Sequence, residues 1–153
     1  MRYIFALLSL FLTVFLAYIR SSSLFSVLKA NEFFFELASE LKENNHRMML
    51  PFSAIFTDIY SKRFGEAPAI NDAHEAAEFM EDKLKDAEDF DRIKELINKQ
   101  GYATESDIDA ILAELKNVTE KALEDAKEKY KKYGKPSFIL YPSVVLMLVA
   151  LLA

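Results

Sequence analysis

Two histidines and a large set of carboxylates are the side chains in this sequence with the chemistry to hold a metal or move a proton. Glu43 and His46 form a Glu-x-x-His pair, the spacing by which di-iron helical bundles place two ligands on one helix face. Such a centre needs a second pair and two further glutamates on facing helices. The other histidine, His74, has Asn71 three residues before it, so half the ligand set is missing and no metal site is expected. His74 and Glu78 stand one turn apart, as pairs on exposed helices often do. Asp86, Glu88, Asp89 and Asp91 have the composition of a calcium loop without its central glycine or distal glutamate, and the segment reads as helix.

Other chemistries lack their parts. The 153 residues include no cysteine, which removes disulfides, thiol catalysis and Cys-based zinc or iron–sulfur sites. There is no glycine-rich phosphate loop, no Gly-x-Ser-x-Gly elbow and no His-Glu-x-x-His. Carboxylates alone do not make an acid–base site without a cleft to shift their pKa values. The expectation is a chain with no catalytic residues and no cofactor. A net charge of −5 is the wrong sign for nucleic acid, which needs a basic footprint. Asn117-Val118-Thr119 matches the glycosylation sequon, but it falls mid-helix and is read as chance.

Hydrophobicity is concentrated at the two ends. Tyr3 to Ile19 is an uncharged run of seventeen residues. As a helix it would span about 26 Å, slightly less than the roughly 30 Å of a bilayer core. Tyr3 and Tyr18 mark its edges and Arg2 and Arg20 close it, an arrangement that suits membrane interfaces. Residues 1–20 are therefore expected to be a transmembrane anchor. A signal sequence is the alternative, with Ser21, Ser22 and Ser23 as a loose cleavage site. A second apolar run, Phe138 to Ala153, places a further transmembrane helix in residues 136–153, with Pro142 in its first turn or so. Arg20, Lys129, Lys131, Lys132 and Lys135 flank the two runs on their inner sides. By the positive-inside rule the middle of the chain then faces the cytoplasm, matrix or stroma.

Helical patterns fill the middle. Residues 21–70 read as amphipathic, Phe-rich helices: a stripe of Leu24, Val27, Leu28, Phe34, Phe35, Ala38 and Leu41, then a short helix from Pro51 to Phe64 closed by Gly65. Residues 71–135 read as an antiparallel hairpin of two helices, about 72–99 and 104–133, with Thr104 and Asp107 as a capping box. The apolar phase of the first helix shifts at Phe90, Ile93 and Ile97. Residues 72–91 carry nine acids against Lys83 and Lys85, net −7, whereas residues 127–135 carry five lysines against Glu128, net +4. The acidic stretch has the charge to dock a basic partner, although a solvated helix face that matches the helix dipole accounts for it more simply.

The expected fold is all-α, a membrane-anchored antiparallel hairpin with a hydrophobic helix at each end. Its expected role is that of a non-catalytic accessory subunit bracing other membrane-complex subunits and lipid, in the inner membrane of an organelle or the bacterial plasma membrane. Respiratory, ATP-synthase and photosynthetic assemblies are hosts of this type, but no residue selects one. Phe33, Phe34, Phe35, Phe52 and Phe56 are the expected contact residues, because their aromatic area exceeds what a small domain was expected to bury. The alternative is a secreted or cell-surface helical hairpin with a cleaved signal and a C-terminal anchor.

Overall fold

The computed structural model describes residues 2–47, 50–65, 69–136, 143–147 and 150, with the backbone alone at 2–6, 46, 47 and 105. Every regular element among the described residues is helical, and no strand is found there. In order these are α1 (Arg2–Arg47), α2 (Phe52–Phe64), α3 (Ala73–Lys83), α4 (Phe90–Tyr102) and α5 (Glu105–Lys129), followed by a π-helical turn (Tyr130–Gly134). The chain divides into two compact units, one of Met1–Ser26 with Ala126–Ala153 and one of Val27–Asp125.

Residues 1–50 contain neither glycine nor proline, so nothing local interrupts α1, which runs on through Ser21, Ser22 and Ser23. Asn44 shapes the exit from this helix: its Oδ1 accepts from Leu50 N at 3.0 Å and its Nδ2 donates to Leu50 O at 2.8 Å. Asn45 Nδ2 donates to Asp109 Oδ1 at 2.7 Å, linking α1 to α5. Pro51 then supplies extended backbone at the head of α2 (φ −68°, ψ 153°), where its missing N–H costs nothing. Gly65, at φ +100°, ends α2 while donating to Ser61 O at 3.0 Å. That φ suits glycine because it has no Cβ.

Asp72 caps α3, accepting from the N–H groups of His74 and Glu75 at 2.9 Å each. Glu75 reaches back to accept from Asn71 N and Nδ2. The sequence pattern predicts one helix from about 72 to 99, and the structure corrects this. The chain breaks at residues 84–89, with Asp89 in the left-handed region at φ +52°. The phase shift supplies the reason. Met80 and Leu84 lie on one stripe, whereas Phe90, Ile93 and Ile97 are one residue out of step, about 100° around a continuous helix. The break returns both stripes to the same core, and aspartate is among the residues that tolerate this conformation. Across it, α3 and α4 fold back on each other: Lys94 pairs with Glu81, and Gly101 sits so close to Ala73 that a Cβ would lie 3.1 Å from that side chain. α4 then turns through Ala103 and Thr104 into α5, and Arg92 pairs with Glu114 across that turn. Three helices thus replace the expected two-helix hairpin.

The core of the second unit is aromatic at its centre. The Phe33 ring lies 5.3 Å from both Phe34 and Phe56, 5.6 Å from Tyr60 and 5.9 Å from Phe64, with edge-to-face geometry throughout. This arrangement matches the positive edge of one ring to the negative face of the next. Phe79 adds an edge-on contact to Tyr60 at 5.0 Å, and Phe34 meets Phe90 at 6.2 Å. Leu37, Met80, Ile93, Leu96, Ile97, Leu112 and Leu115 are the other large apolar side chains fully buried there. Among polar groups, Thr119 is buried with its hydroxyl donating to Leu115 O at 2.9 Å, so the sequon's threonine faces the interior.

Arg63 clamps α2 to α1. Its Nη1 donates to Glu32 Oε2 at 2.6 Å and its Nη2 to Glu36 Oε2 at 2.7 Å. All three side chains are partly exposed, so solvent screens the charges and the clamp is worth on the order of 1 kcal/mol. Arg63→Met should lower stability by about that amount, and Arg63→Lys by less, because an ammonium retains one partner. A urea midpoint series with Glu32→Gln and Glu36→Gln checks both, since the loss should shrink when the glutamates are already gone.

Burial gives Tyr60 a pH signature. Desolvation raises its pKa above 10.0, against a smaller opposing pull from Lys83. The unfolded chain releases this proton near its ordinary value while the folded chain keeps it. Folding stability should therefore fall as pH climbs above about 10. Of the seven tyrosines, Tyr60 should ionise late in an absorbance titration, and Tyr60→Phe should flatten the alkaline loss of stability.

Candidate membrane interface

The first half of α1 is apolar on its solvent side. Leu7, Leu8, Phe11, Leu12, Val14, Phe15, Leu16, Tyr18 and Ile19 are all exposed, Phe11 the most at 73%. Nine large side chains left in water forgo on the order of 10 kcal/mol relative to an apolar cover. The stretch Leu7–Asn45 includes an 18-residue window apolar enough to cross a membrane, and only 6% of that window is buried. A soluble core helix of similar composition would be mostly buried. A signal sequence, which also lies near an N-terminus, would not.

The residues of this segment that do turn inward are small. Ala17 and Ser21, one turn apart, are buried, the spacing at which helices in a membrane approach closely. The neighbouring chain there is the end of α5 and the π turn. Phe25 packs its ring 5.7 Å from Tyr130, and the Arg20 guanidinium lies 5.5 Å over the Tyr133 ring. The pairing runs antiparallel, residue 25 with 130 and residue 20 with 133. A π turn carries one extra residue per turn and often marks a functional position. Here Gly134 is buried beneath the Tyr130 ring, which occupies the place a Cβ would need.

These elements gather charge at one edge of the apolar surface. Arg20 and Lys129, far apart in sequence, line one groove with Leu16, Ile19, Ser23 and Tyr133. Lys132 places its ammonium 5.2 Å from the Tyr133 ring centre, and Lys131 and Lys135 are exposed nearby in sequence. The five cations singled out by sequence thus divide into two groove residues, one aromatic-stacked lysine and two exposed lysines. The sequence did not join Tyr133 or Ser23 to these cations, and the π turn was not expected. The Lys129–Tyr133 spacing of one helical turn was the available signal.

The five phenylalanines expected to meet a partner lie elsewhere. Phe33, Phe34 and Phe56 are fully enclosed within Val27–Asp125, and Phe35 and Phe52 are half-buried, Phe52 against that core. This leaves Phe35 and Phe52 partly accessible and corrects the assignment of Phe33, Phe34 and Phe56 as surface contacts. α2, α3 and α4 supply enough ring area to cover them, so their packing partners belong to the chain itself.

Of the other sequence candidates, His74 Nε2 lies 3.7 Å from Glu78 Oε1 on an exposed face. No three potential metal ligands converge among the described residues. The His46 side chain lies outside the described atoms, as do residues 137–142, 148–149 and 151–153 of the second apolar run. Where that run is described, 143–147 are helical, with Val144, Leu146 and Met147 exposed. Comparison with protein-family models, with curated proteins and with solved structures returns no match.

Proposed function

We propose that this protein is an integral membrane, non-catalytic accessory subunit of a larger membrane assembly. It is held by α1 and by a second span in residues 136–153, and it braces its neighbours through helical packing. The observation that carries this reading is the uncovered apolar face of α1 from Leu7 to Ile19, bounded by the Arg20–Lys129–Tyr133 groove. Apolar surface of that extent is stable in lipid, and cations with tyrosines at its edge are the usual anchors of a span. The positive-inside bias places Val27–Asp125 on the cytoplasmic, matrix or stromal side. With Phe33, Phe34 and Phe56 withdrawn into the core, the surfaces left for neighbouring subunits are the exposed apolar helices themselves. The acidic stretch 72–91 is a second, electrostatic surface for a basic partner.

One observation favours the secreted alternative: the apolar helix lies near the N-terminus, as a signal would. Against it, α1 continues through the serine triplet without a break and buries Ser21, whereas a protease needs extended, accessible backbone. Native particle size after extraction in mild detergent, with co-migrating chains identified, tests the proposal. A particle of several different chains supports the accessory role. A monomer or homodimer removes it. N-terminal sequencing of the same sample separates a retained anchor from a product lacking residues 1–22.

A further inference from the structure

We infer that the groove between α1 and the end of α5 binds the headgroup of one anionic phospholipid, with an acyl chain laid along α1; this rests on the membrane reading above. Arg20 and Lys129 face the groove, with the Ser23 hydroxyl and Tyr133 beside them, and the described residues that line it include no carboxylate. A guanidinium and an ammonium beside hydroxyl groups match a phosphodiester, which offers several acceptor oxygens and one negative charge. Arg20 is stacked over Tyr133, which fixes its plane and lowers the entropy lost when it binds a phosphate. The chain as a whole is acidic at −5, yet residues 127–135 are net +4, so the attraction is local to this end.

The apolar part of the groove specifies a lipid over a soluble anion. Leu16 and Ile19 line it, and Leu16, Leu12 and Leu8 follow at four-residue steps, all exposed. From Arg20 back to Leu8 the helix rises about 18 Å, close to the roughly 15 Å of one leaflet. A free phosphate or an acidic peptide would leave this track bare, whereas an acyl chain covers it from the bound headgroup inward. The groove volume, about 570 Å³, falls within the range of small-molecule sites.

The test uses the full chain in phosphatidylcholine vesicles containing trace spin-labelled phosphatidylglycerol or spin-labelled phosphatidylcholine. Flotation is measured first. A chain that does not float with the vesicles overturns both the membrane reading and this site. A chain that floats should then immobilise phosphatidylglycerol about thirtyfold more than phosphatidylcholine, the scale set by two cations at a membrane surface. Arg20→Gln with Lys129→Gln should bring that ratio close to one, while Lys131→Gln with Lys135→Gln keeps most of it. The charge-preserving pair Arg20→Lys with Lys129→Arg should also keep most of it, which separates lost charge from lost fold. Equal losses in the two glutamine pairs would mean diffuse surface attraction and overturn the groove as a site. So would a floating chain with no preference between the lipids.

Discussion

Phe33→Ala should destabilise the Val27–Asp125 unit by about 3–5 kcal/mol, the cost of emptying a fully buried aromatic position. Phe33 has no exposed surface and meets four rings within 5.9 Å, so neighbours from α1 and α2 lose a shared partner together. Single domains are stable by only about 5–15 kcal/mol, and the variant should sit near the edge of folding. Urea unfolding of the full chain in mild detergent, followed by near-ultraviolet circular dichroism of its packed aromatic rings, measures the loss. Phe35→Ala, at a half-buried position on the same helix, should cost about 1 kcal/mol. Were Phe33 instead a contact for another subunit, its removal would leave the midpoint in place and weaken only the assembly. A shift smaller than that of Phe35→Ala would count against the core as described.

The contrast between Phe33 and Phe35 shows where the sequence stops being informative. Three consecutive phenylalanines satisfy any helical phase, and the apolar stripe read from sequence centred on Phe34, Phe35 and Ala38. The folded chain instead buries Phe33, Phe34, Leu37 and Ala38, a rotation set by where α2 brings Phe56 and Tyr60. Helix ends with their own chemistry were legible. Pro51 and Gly65 bracket α2, and Asp72 caps α3. Thr104 and Asp107 do meet, but not as the expected capping box: the Thr104 hydroxyl donates to Asp107 Oδ2 at 2.7 Å, and the Asp107 N–H donates to Thr104 O at 3.0 Å.

The break at 84–89 was visible only as a phase shift. It contains no glycine or proline, and a single aspartate in the left-handed region does the turning. The helix expected to end near 133 instead runs on: Gly134 lies buried inside a π turn, and residues 135 and 136 remain helical. At the candidate membrane interface the residue types were legible, because Arg20 and the lysines flank apolar runs. The joining of Arg20 with Lys129 and Tyr133 in one groove was not, since it depends on tertiary packing between segments more than a hundred residues apart.

A substitution at the centre of the first apolar run gives opposite signs under the competing accounts of that helix. Phe11 lies midway between Tyr3 and Ile19 and is exposed. In a bilayer, Phe11→Arg replaces a favourable residue with one costing about 2.5–3.5 kcal/mol at mid-span, a net loss near 3–4 kcal/mol. That corresponds to more than about a hundredfold in the insertion equilibrium. The membrane-bound share of the chain should fall sharply in a flotation assay on freshly synthesised protein. Tyr102→Arg, equally exposed but in the other unit, should leave flotation unchanged. A helix meant for water would respond the other way: a charge on an exposed position removes apolar surface and raises solubility without loss of fold. A cleaved signal would also be blocked by Phe11→Arg, but its wild-type product would be shorter by the removed segment. Loss of flotation in the variant, together with an intact N-terminus in the wild type, therefore selects the retained anchor. Unchanged flotation would remove the membrane from the account, and with it the role given to Arg20 and Lys129.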